Sequence, residues 1–244
     1  MKKKRIVSTL LALLLFAGLP VSALADTWDI SNGDITVNAE SGGQTVRQGG
    51  GAAIPDSAPV ITGTSKENNV TINADSGQTA SVTLSGVNID VRDKGKAAVS
   101  TTGEGNVSIE LNGGSTLRSG YEHAGLEKNN GGSLTIADED KNGKLTAWGG
   151  QQGAGIGGGS GVGFDASGGT ITIHGGNVTA SGGDSAAGIG GGWKGSGGTI
   201  TIHGGSVTAT CGSLTAGIGD GYGGSGGSFA TGADGNALIF ASSI

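Results

Sequence analysis

Short alternations of apolar and polar residues, each bounded by glycines, run along most of the chain. The clearest is Thr-Ile-Thr-Ile, found at residues 170–173 and again at 199–202. Successive side chains of a β-strand point to opposite faces, so Ile171 and Ile173 share one face and the threonines share the other. The alternation therefore predicts short strands with isoleucine buried and threonine exposed.

These alternations belong to a repeat of 29 residues. Residues 168–196 and 197–225 each contain Thr-Ile-Thr-Ile, then Val-Thr-Ala, then Ala-Gly-Ile-Gly, with glycines between them. No piece is long enough for a helix, and a fixed period indicates a repeat architecture. Three strands per copy predict one coil of a parallel β-helix, in which equivalent strands stack. The residues predicted to face inward are Ile171, Ile173, Val178 and Ile189, with Ile200, Ile202, Val207 and Ile218 in the second copy.

Weaker copies extend the predicted β-helix towards the N-terminus. They occupy residues 131–159, 105–128 and, more loosely, 69–101, and a partial copy follows at 228–241. We count five coils and part of a sixth. The predicted fold is all-β, a right-handed parallel β-helix over residues 64–244, with the hand taken from the bias of parallel crossover connections.

The N-terminal segment has the pattern of a secretory signal peptide. Residues 1–25 contain four basic residues at positions 2–5, an apolar run and Ala-Leu-Ala before Asp26. We therefore expect a secreted or cell-surface protein with no membrane insertion after cleavage. Residues 26–63 lie outside the clear repeat and are predicted to form an N-terminal cap over an open end of the β-helix. No polar closing segment follows the last copy, so we expect an uncapped C-terminal end.

The excess of acidic over basic residues limits the kinds of molecule that the protein is expected to bind. Glycine accounts for 54 of the 244 residues, and removing four of the 14 basic residues with the signal peptide leaves ten against 20 acidic ones, a net charge near −10. That balance argues against nucleic acids and anionic membrane surfaces, which require clustered basic residues. The single cysteine, Cys211, allows no internal disulfide.

One acidic turn is similar to the beginning of a calcium-binding loop. Asp138, Asp140 and Asn142 hold positions one, three and five of a segment with Gly143 at position six. The twelfth position is Gly149, where a calcium loop has a bidentate glutamate. These three residues are therefore candidate calcium ligands; the alternative is a solvated acidic turn, which Asp, Asn and Gly favour without any ion.

The aromatic residues are few and are candidates for sugar binding. Trp193 and Tyr222 occupy the same glycine-rich turn in successive copies, and Trp148 ends a strand in an earlier copy. Flat rings on a rigid scaffold can stack on sugar faces. The alternative is ordinary packing of loop aromatics against the outside of the coil.

Other chemistry has weaker support in the sequence. His174 and His203 are predicted to stack in adjacent coils, but zinc sites need three or four ligands, and the preceding copies place Asn112 and Ala137 at the matching position. No basic residue lies in a repeated cluster with acids, so we predict that the protein is not an enzyme. The outward threonine pairs also occur in ice-binding β-helices, although strand propensity accounts for them.

The chain resembles a family of secreted bacterial β-helix carbohydrate-binding domains. The resemblance rests on the signal peptide, the TWDIS and GDITV segments, APVITG, SVTLSGVNIDV and the GGTITIHGGxVTA…AGIGGG coils. It implies a β-helix fold and carbohydrate binding; some relatives are polygalacturonate-binding proteins with a pectate-lyase-like fold and calcium sites. Fold alone does not determine function.

These observations favour one function over two alternatives. The favoured function is a secreted, non-catalytic polysaccharide-binding protein whose ligand is a polyuronate or another plant or host glycan. Because the net charge opposes acidic glycans, we expect calcium to bridge polyuronates, whereas neutral glycans need no ion. The alternatives are a structural or adhesive surface protein without a specific glycan and, with less support, a polysaccharide lyase.

Overall fold

The computed structural model describes residues 25–160, 166–212 and 215–243. Residues 1–24, which carry nearly all of the predicted signal peptide, lie outside the described residues. In the described part of the chain, no helix has the length and the apolar character needed to cross a membrane.

The described residues form short strands and one 3-10 helix, Ile30–Asn32, whose first turn is capped by Asp29. The strands follow the glycine-bounded alternations of the sequence, since isoleucine, valine and threonine favour the extended backbone. In chain order they are β1 (Thr27–Asp29), β2 (Ile35–Glu40), β3 (Gly43–Gln48), β4 (Ile54–Pro55), β5 (Val60–Thr62), β6 (Thr64–Ser65), β7 (Val70–Ala74), β8 (Thr79–Ser85), β9 (Asn88–Asp90), β10 (Val99–Thr102), β11 (Asn106–Asn112), β12 (Gly114–Arg118), β13 (Leu126–Lys128), β14 (Ser133–Ala137), β15 (Lys144–Trp148), β16 (Ile156–Gly157), β17 (Thr170–Ile173), β18 (Asn177–Ser181), β19 (Ile189–Gly190), β20 (Thr199–Cys211), β21 (Ile218–Gly219) and β22 (Ser228–Ser243).

Equivalent strands of successive coils pair in parallel and form three stacks. The first stack contains β1, β5, β8, β11, β14 and β17, and the second contains β6, β9, β12, β15 and β18. β20 runs through both of these stacks and pairs along its length with β22, with a register shift between Ile202 and Gly204. The third stack contains β2, β7, β10, β13, β16, β19 and β21. This arrangement confirms the predicted all-β parallel solenoid.

The solenoid has about seven coils, so the predicted count of five and part of a sixth is too low. The additional strands come from residues 26–63, because β1 pairs in parallel with β5 and β2 pairs in parallel with β7. These early coils carry neither the Thr-Ile-Thr-Ile nor the Ala-Gly-Ile-Gly segment, which is why the repeat does not reveal them. In the same segment, β3 pairs antiparallel with β2, on the edge opposite to β7, and β4 pairs with β3.

The interior of the coils is apolar, as the alternation predicts. Seven of the eight residues predicted to face inward are fully buried; Ile218 is partly buried and packs against the same core. Each of these residues lies directly above its equivalent in the next coil, as Ile171 does with Ile200 and Val178 with Val207. The fold therefore depends on a continuous apolar column with polar residues on the outside.

In the last three strands of the third stack, β16, β19 and β21, one position is always glycine. Gly157, Gly190 and Gly219 lie one above another with φ between 133° and 135°, a backbone conformation that side chains strongly disfavour. A β-carbon at Gly157 would approach the carbonyl oxygen of Gly190 within 2.0 Å. This close approach explains why Ala-Gly-Ile-Gly recurs in the later copies.

A charge in this interior is expected to destabilise the fold. Ile200→Asp places an unpaired carboxylate at a fully buried position, and we expect the free energy of unfolding to fall by about 3–5 kcal/mol. Urea denaturation followed by circular dichroism measures the change. Thr201→Asp, which alters the outward neighbour, is the matched control, and equal losses in the two variants would contradict the assignment of faces.

Candidate functional site

The side chains of an arginine and a tryptophan form a cation–π contact on the outer face of the second stack of strands. Asp90, Arg118 and Trp148 hold equivalent positions in three successive coils, at the ends of β9, β12 and β15. The guanidinium carbon of Arg118 lies 4.1 Å from the centroid of the Trp148 ring. The next coil places Ser181, a small residue, beside Trp148. Trp148 was predicted from the sequence as a sugar-binding residue, whereas its partner Arg118 was not.

Two adjoining cavities lie around this pair, and we call them together the second-stack groove. Their volumes are about 390 and 330 Å³, and both are lined by Arg118 and Trp148. The larger one crosses four coils, from β6 to β15. The remaining lining residues are Thr64, Ser65, Lys66, Asn88, Asp90 and Thr116 in the larger cavity, and Arg92, Ser119 and Gly149 in the smaller one.

The charged residues of the groove differ in how far they are already paired. Arg92 donates two hydrogen bonds to the carboxylate of Asp90, at 2.9 and 2.5 Å. That bonding holds the pKa of Asp90 below its usual range, and the positive charges of Arg92 and Arg118 act in the same direction. Arg118 and Lys66, in contrast, make no hydrogen bond or ion pair with any residue that the structure describes. The groove therefore offers two uncommitted cations.

Trp193 and Tyr222 lie in neighbouring turns after the third stack. The backbone N–H of Lys194 donates to the carbonyl oxygen of Tyr222 at 2.9 Å, which places the two turns side by side. Trp193 is half-buried, and the ammonium nitrogen of Lys194 lies 4.3 Å from its ring centroid, whereas Tyr222 is 49% exposed. Among the described residues, no ring contact joins either of them to Trp148.

The predicted calcium turn is closed by hydrogen bonds to its own backbone. Oδ1 of Asp138 accepts from the N–H groups of Asn142 and Gly143, at 3.1 and 3.0 Å. Oδ1 of Asn142 accepts from the N–H of Gly113 at 3.1 Å, and Asp140 is exposed. Within the described ranges, no three side chains of His, Cys, Asp or Glu are grouped to hold a metal ion. Calcium binding by Asp138, Asp140 and Asn142 stays a prediction.

The two histidines stack as the repeat predicts. The ring centroids of His174 and His203 are 4.8 Å apart, with 6° between the ring planes. Parallel stacked rings cannot both direct a nitrogen lone pair at one ion about 2 Å away, so the geometry favours an outward ladder pair over a shared metal. Both rings line a cleft of about 790 Å³, together with Asp138, Lys141, Asn142 and Lys144.

The register corrects one alignment made from the sequence. β11 pairs with β14 so that Glu110 lies opposite Ala137, and Ala137 precedes His174 in the ladder. Asn112, which the sequence analysis placed at this position, is two residues further along β11. The correction arises because β11 extends past the equivalent strands of the later coils.

A histidine–glutamate pair, with Glu127 buried and His123 partly buried, was not predicted from the sequence. Nδ1 of His123 lies 2.8 Å from Oε2 of Glu127, which also accepts from the N–H of Ala124, and Oε1 accepts from Asn129. Burial acts to lower the pKa of His123, but the hydrogen bond and the charge of Glu127 outweigh it and raise that pKa. The sequence did contain one signal for this pair. Residue 127 is a glutamate, whereas the equivalent position in the later coils is glycine.

Comparison with known proteins supports the fold. A family model described as a β-helix repeat matches residues 141–160, 171–193 and 200–222, which together make up less than half of the chain. No curated protein and no solved structure shows significant similarity to the chain. The match supports a β-helix family and does not extend to a carbohydrate-binding or pectate-lyase-like subtype.

The His123–Glu127 pair predicts a pH dependence of stability. Because the folded-state pKa of His123 is raised, its contribution is fully present below the unfolded pKa of about 6.5 and is lost as pH rises through the folded value. Glu127→Gln is expected to reduce this dependence. Melting temperatures measured from pH 5 to 9 test it, with the exposed Glu139→Gln as control; unchanged pH profiles in the Glu127 variant would refute the assignment.

Proposed function

We propose that the protein is a secreted, non-catalytic polysaccharide-binding protein whose principal contact with sugar is the second-stack groove. The observation that carries the proposal is the half-buried ring of Trp148 in an open groove lined by hydroxyl, amide and charged side chains. Sugar-binding sites combine an apolar ring surface with a few polar groups that fix orientation. The groove supplies both.

The spacing of the coils suits an extended ligand. Strands of adjacent coils lie about 4.8 Å apart, roughly the length of one sugar residue, so the four coils of the groove span about 14 Å. Thr64, Asn88 and Thr116 present hydrogen-bonding groups along that length. An open groove buries little surface, and each stacked ring adds only about 0.5–1.5 kcal/mol beyond its area. We therefore infer weak binding that increases with the number of sugar residues.

Trp193 and Tyr222 form a second proposed contact. Tyr222 is exposed, while Lys194 covers one face of Trp193, so the pair offers less open ring surface than two bare aromatics. In this proposal the pair extends the binding surface, and the groove provides the main affinity.

Two alternatives differ in their observable consequences. A structural or adhesive repeat protein would bind no glycan through Trp148. A lyase would release unsaturated product from polyuronates in the presence of calcium. The proposal of a non-catalytic role rests on the absence from the sequence of a repeated cluster that joins a base to acidic residues.

Calcium, if bound at the acidic turn, is expected to stabilise the fold. Ligation by Asp138, Asp140 and Asn142 would raise the melting temperature through linkage, because the ion binds the folded state. Asp140→Ala is expected to abolish the rise without disturbing the hydrogen bonds that Asp138 makes. Thermal unfolding with and without millimolar calcium tests this, and identical curves for the parent protein would leave only the solvated acidic turn.

Loss of the Trp148 ring is expected to weaken glycan binding. We expect Trp148→Ala to reduce affinity about tenfold, and Trp193→Ala/Tyr222→Ala to have a smaller effect. Affinity electrophoresis against neutral and acidic polysaccharides measures both. Tyr121→Ala, which removes a 53% exposed ring outside the groove, is the control. Retention of full binding by the Trp148 variant would eliminate the groove, and no binding by the parent would favour the structural alternative.

A further inference from the structure

We propose that the second-stack groove selects glycans that carry an oxyanion, a carboxylate or a sulfate ester, and that Arg118 binds this group without calcium. The inference rests on the proposed glycan-binding function and adds the chemical class of the ligand. It differs from the expectation, based on net charge, that acidic glycans require a bridging ion.

The first argument is the state of Arg118. Its guanidinium is held by stacking on Trp148, yet it makes no hydrogen bond or ion pair with any described residue. A guanidinium has five N–H donors in a planar fork that matches a carboxylate or sulfate. Stacking restricts the side chain before the ligand arrives, so less conformational entropy is lost on binding. Arg118 is thus a preoriented donor without an acceptor in the described structure.

The second argument is the local charge. The groove is lined by three cations, Lys66, Arg92 and Arg118, and one carboxylate, Asp90. Asp90 is paired with Arg92 through two hydrogen bonds. The groove is therefore positive, although the chain as a whole has a formal charge of −6. A positive groove on an acidic protein concentrates attraction for anions at one place.

The nearby acidic residues outside the groove limit this attraction only in part. Glu67 forms an ion pair with Lys94 at 2.7 Å, and Glu67 and Asp93 line a neighbouring cavity that shares Lys66, Asp90 and Arg92 with the groove. Neither residue lines the two cavities that contain Arg118. Asp90 lies directly opposite Arg118 in the preceding coil, and its carboxylate already accepts hydrogen bonds from Arg92.

The test is affinity electrophoresis in EDTA with matched polysaccharides. Two neutral backbones, dextran and hydroxyethyl cellulose, are compared with carboxymethyl dextran, dextran sulfate and carboxymethyl cellulose. We expect stronger retardation by the anionic members, because the groove cations bind their oxyanions. Since the net negative charge of the protein repels polyanions overall, such retardation would come from the groove rather than from non-specific attraction. Carboxylated and sulfated dextrans distinguish the two sources of oxyanion. Arg118→Gln is expected to reduce the preference for the anionic members over their matched neutral backbones about tenfold.

Further variants distinguish the effect of the planar guanidinium of Arg118 from the effect of its positive charge alone. Arg47→Gln removes the same charge from an exposed position on β3 and is expected to change nothing. Arg118→Lys keeps the charge but loses the fork, so intermediate binding is expected. Asp90→Asn removes the competing carboxylate and is expected to strengthen anionic binding. Thermal unfolding confirms that each variant is folded.

The outcomes distinguish the two proposals. Equal retardation by neutral and anionic polysaccharides, or anionic retardation that appears only with calcium, would overturn the oxyanion inference and leave glycan binding intact. An effect of Arg47→Gln as large as that of Arg118→Gln would also overturn it. No retardation by any polysaccharide would contradict both proposals.

Discussion

The structure depends on the requirement that each strand lie directly above its equivalent in the preceding coil. This register joins backbone hydrogen bonds along the whole solenoid and forces side chains into ladders, with apolar residues inside and polar residues outside. The interior column of isoleucine, leucine, valine and alanine is continuous through the described coils. No disulfide can reinforce it, since Cys211 is the only cysteine of the chain.

The same register creates the candidate site. Asp90, Arg118 and Trp148 are separated by 28 and 30 positions in the sequence, yet they occupy one outward ladder. Their neighbours along the strands belong to the opposite, buried face, as Leu117 and Ala147 show. The scaffold therefore supplies side-chain positions at a fixed spacing, and the chemistry of the site depends on which residue each coil places there.

Sequence patterns predicted the part of the fold that rests on strict alternation and missed the part that rests on register. The inward residues of the 29-residue copies were identified because burial imposes an apolar residue at every second position. The coil count failed where early coils carry different residues. Asn112 was assigned to the position that Glu110 occupies, because β11 is longer than its partner strands. The Arg118–Trp148 contact depends on the register between coils. The repeat period alone does not determine which residues of adjacent coils lie opposite each other. Glu127 was detectable as a glycine replaced by a charge, but its partner His123 was not.

The glycine column of the third stack has a consequence for how such a protein evolves. At Gly157 and Gly190 the backbone of the next coil approaches too closely for a side chain, and Gly219 shares their positive φ, so substitution at these three positions is strongly disfavoured. The nearly identical 29-residue copies lie in the coils after β15, beyond the groove residues. Duplication or loss of such a copy through unequal recombination would change the length of the solenoid and leave the groove unchanged. Length and ligand recognition can therefore vary independently in the gene.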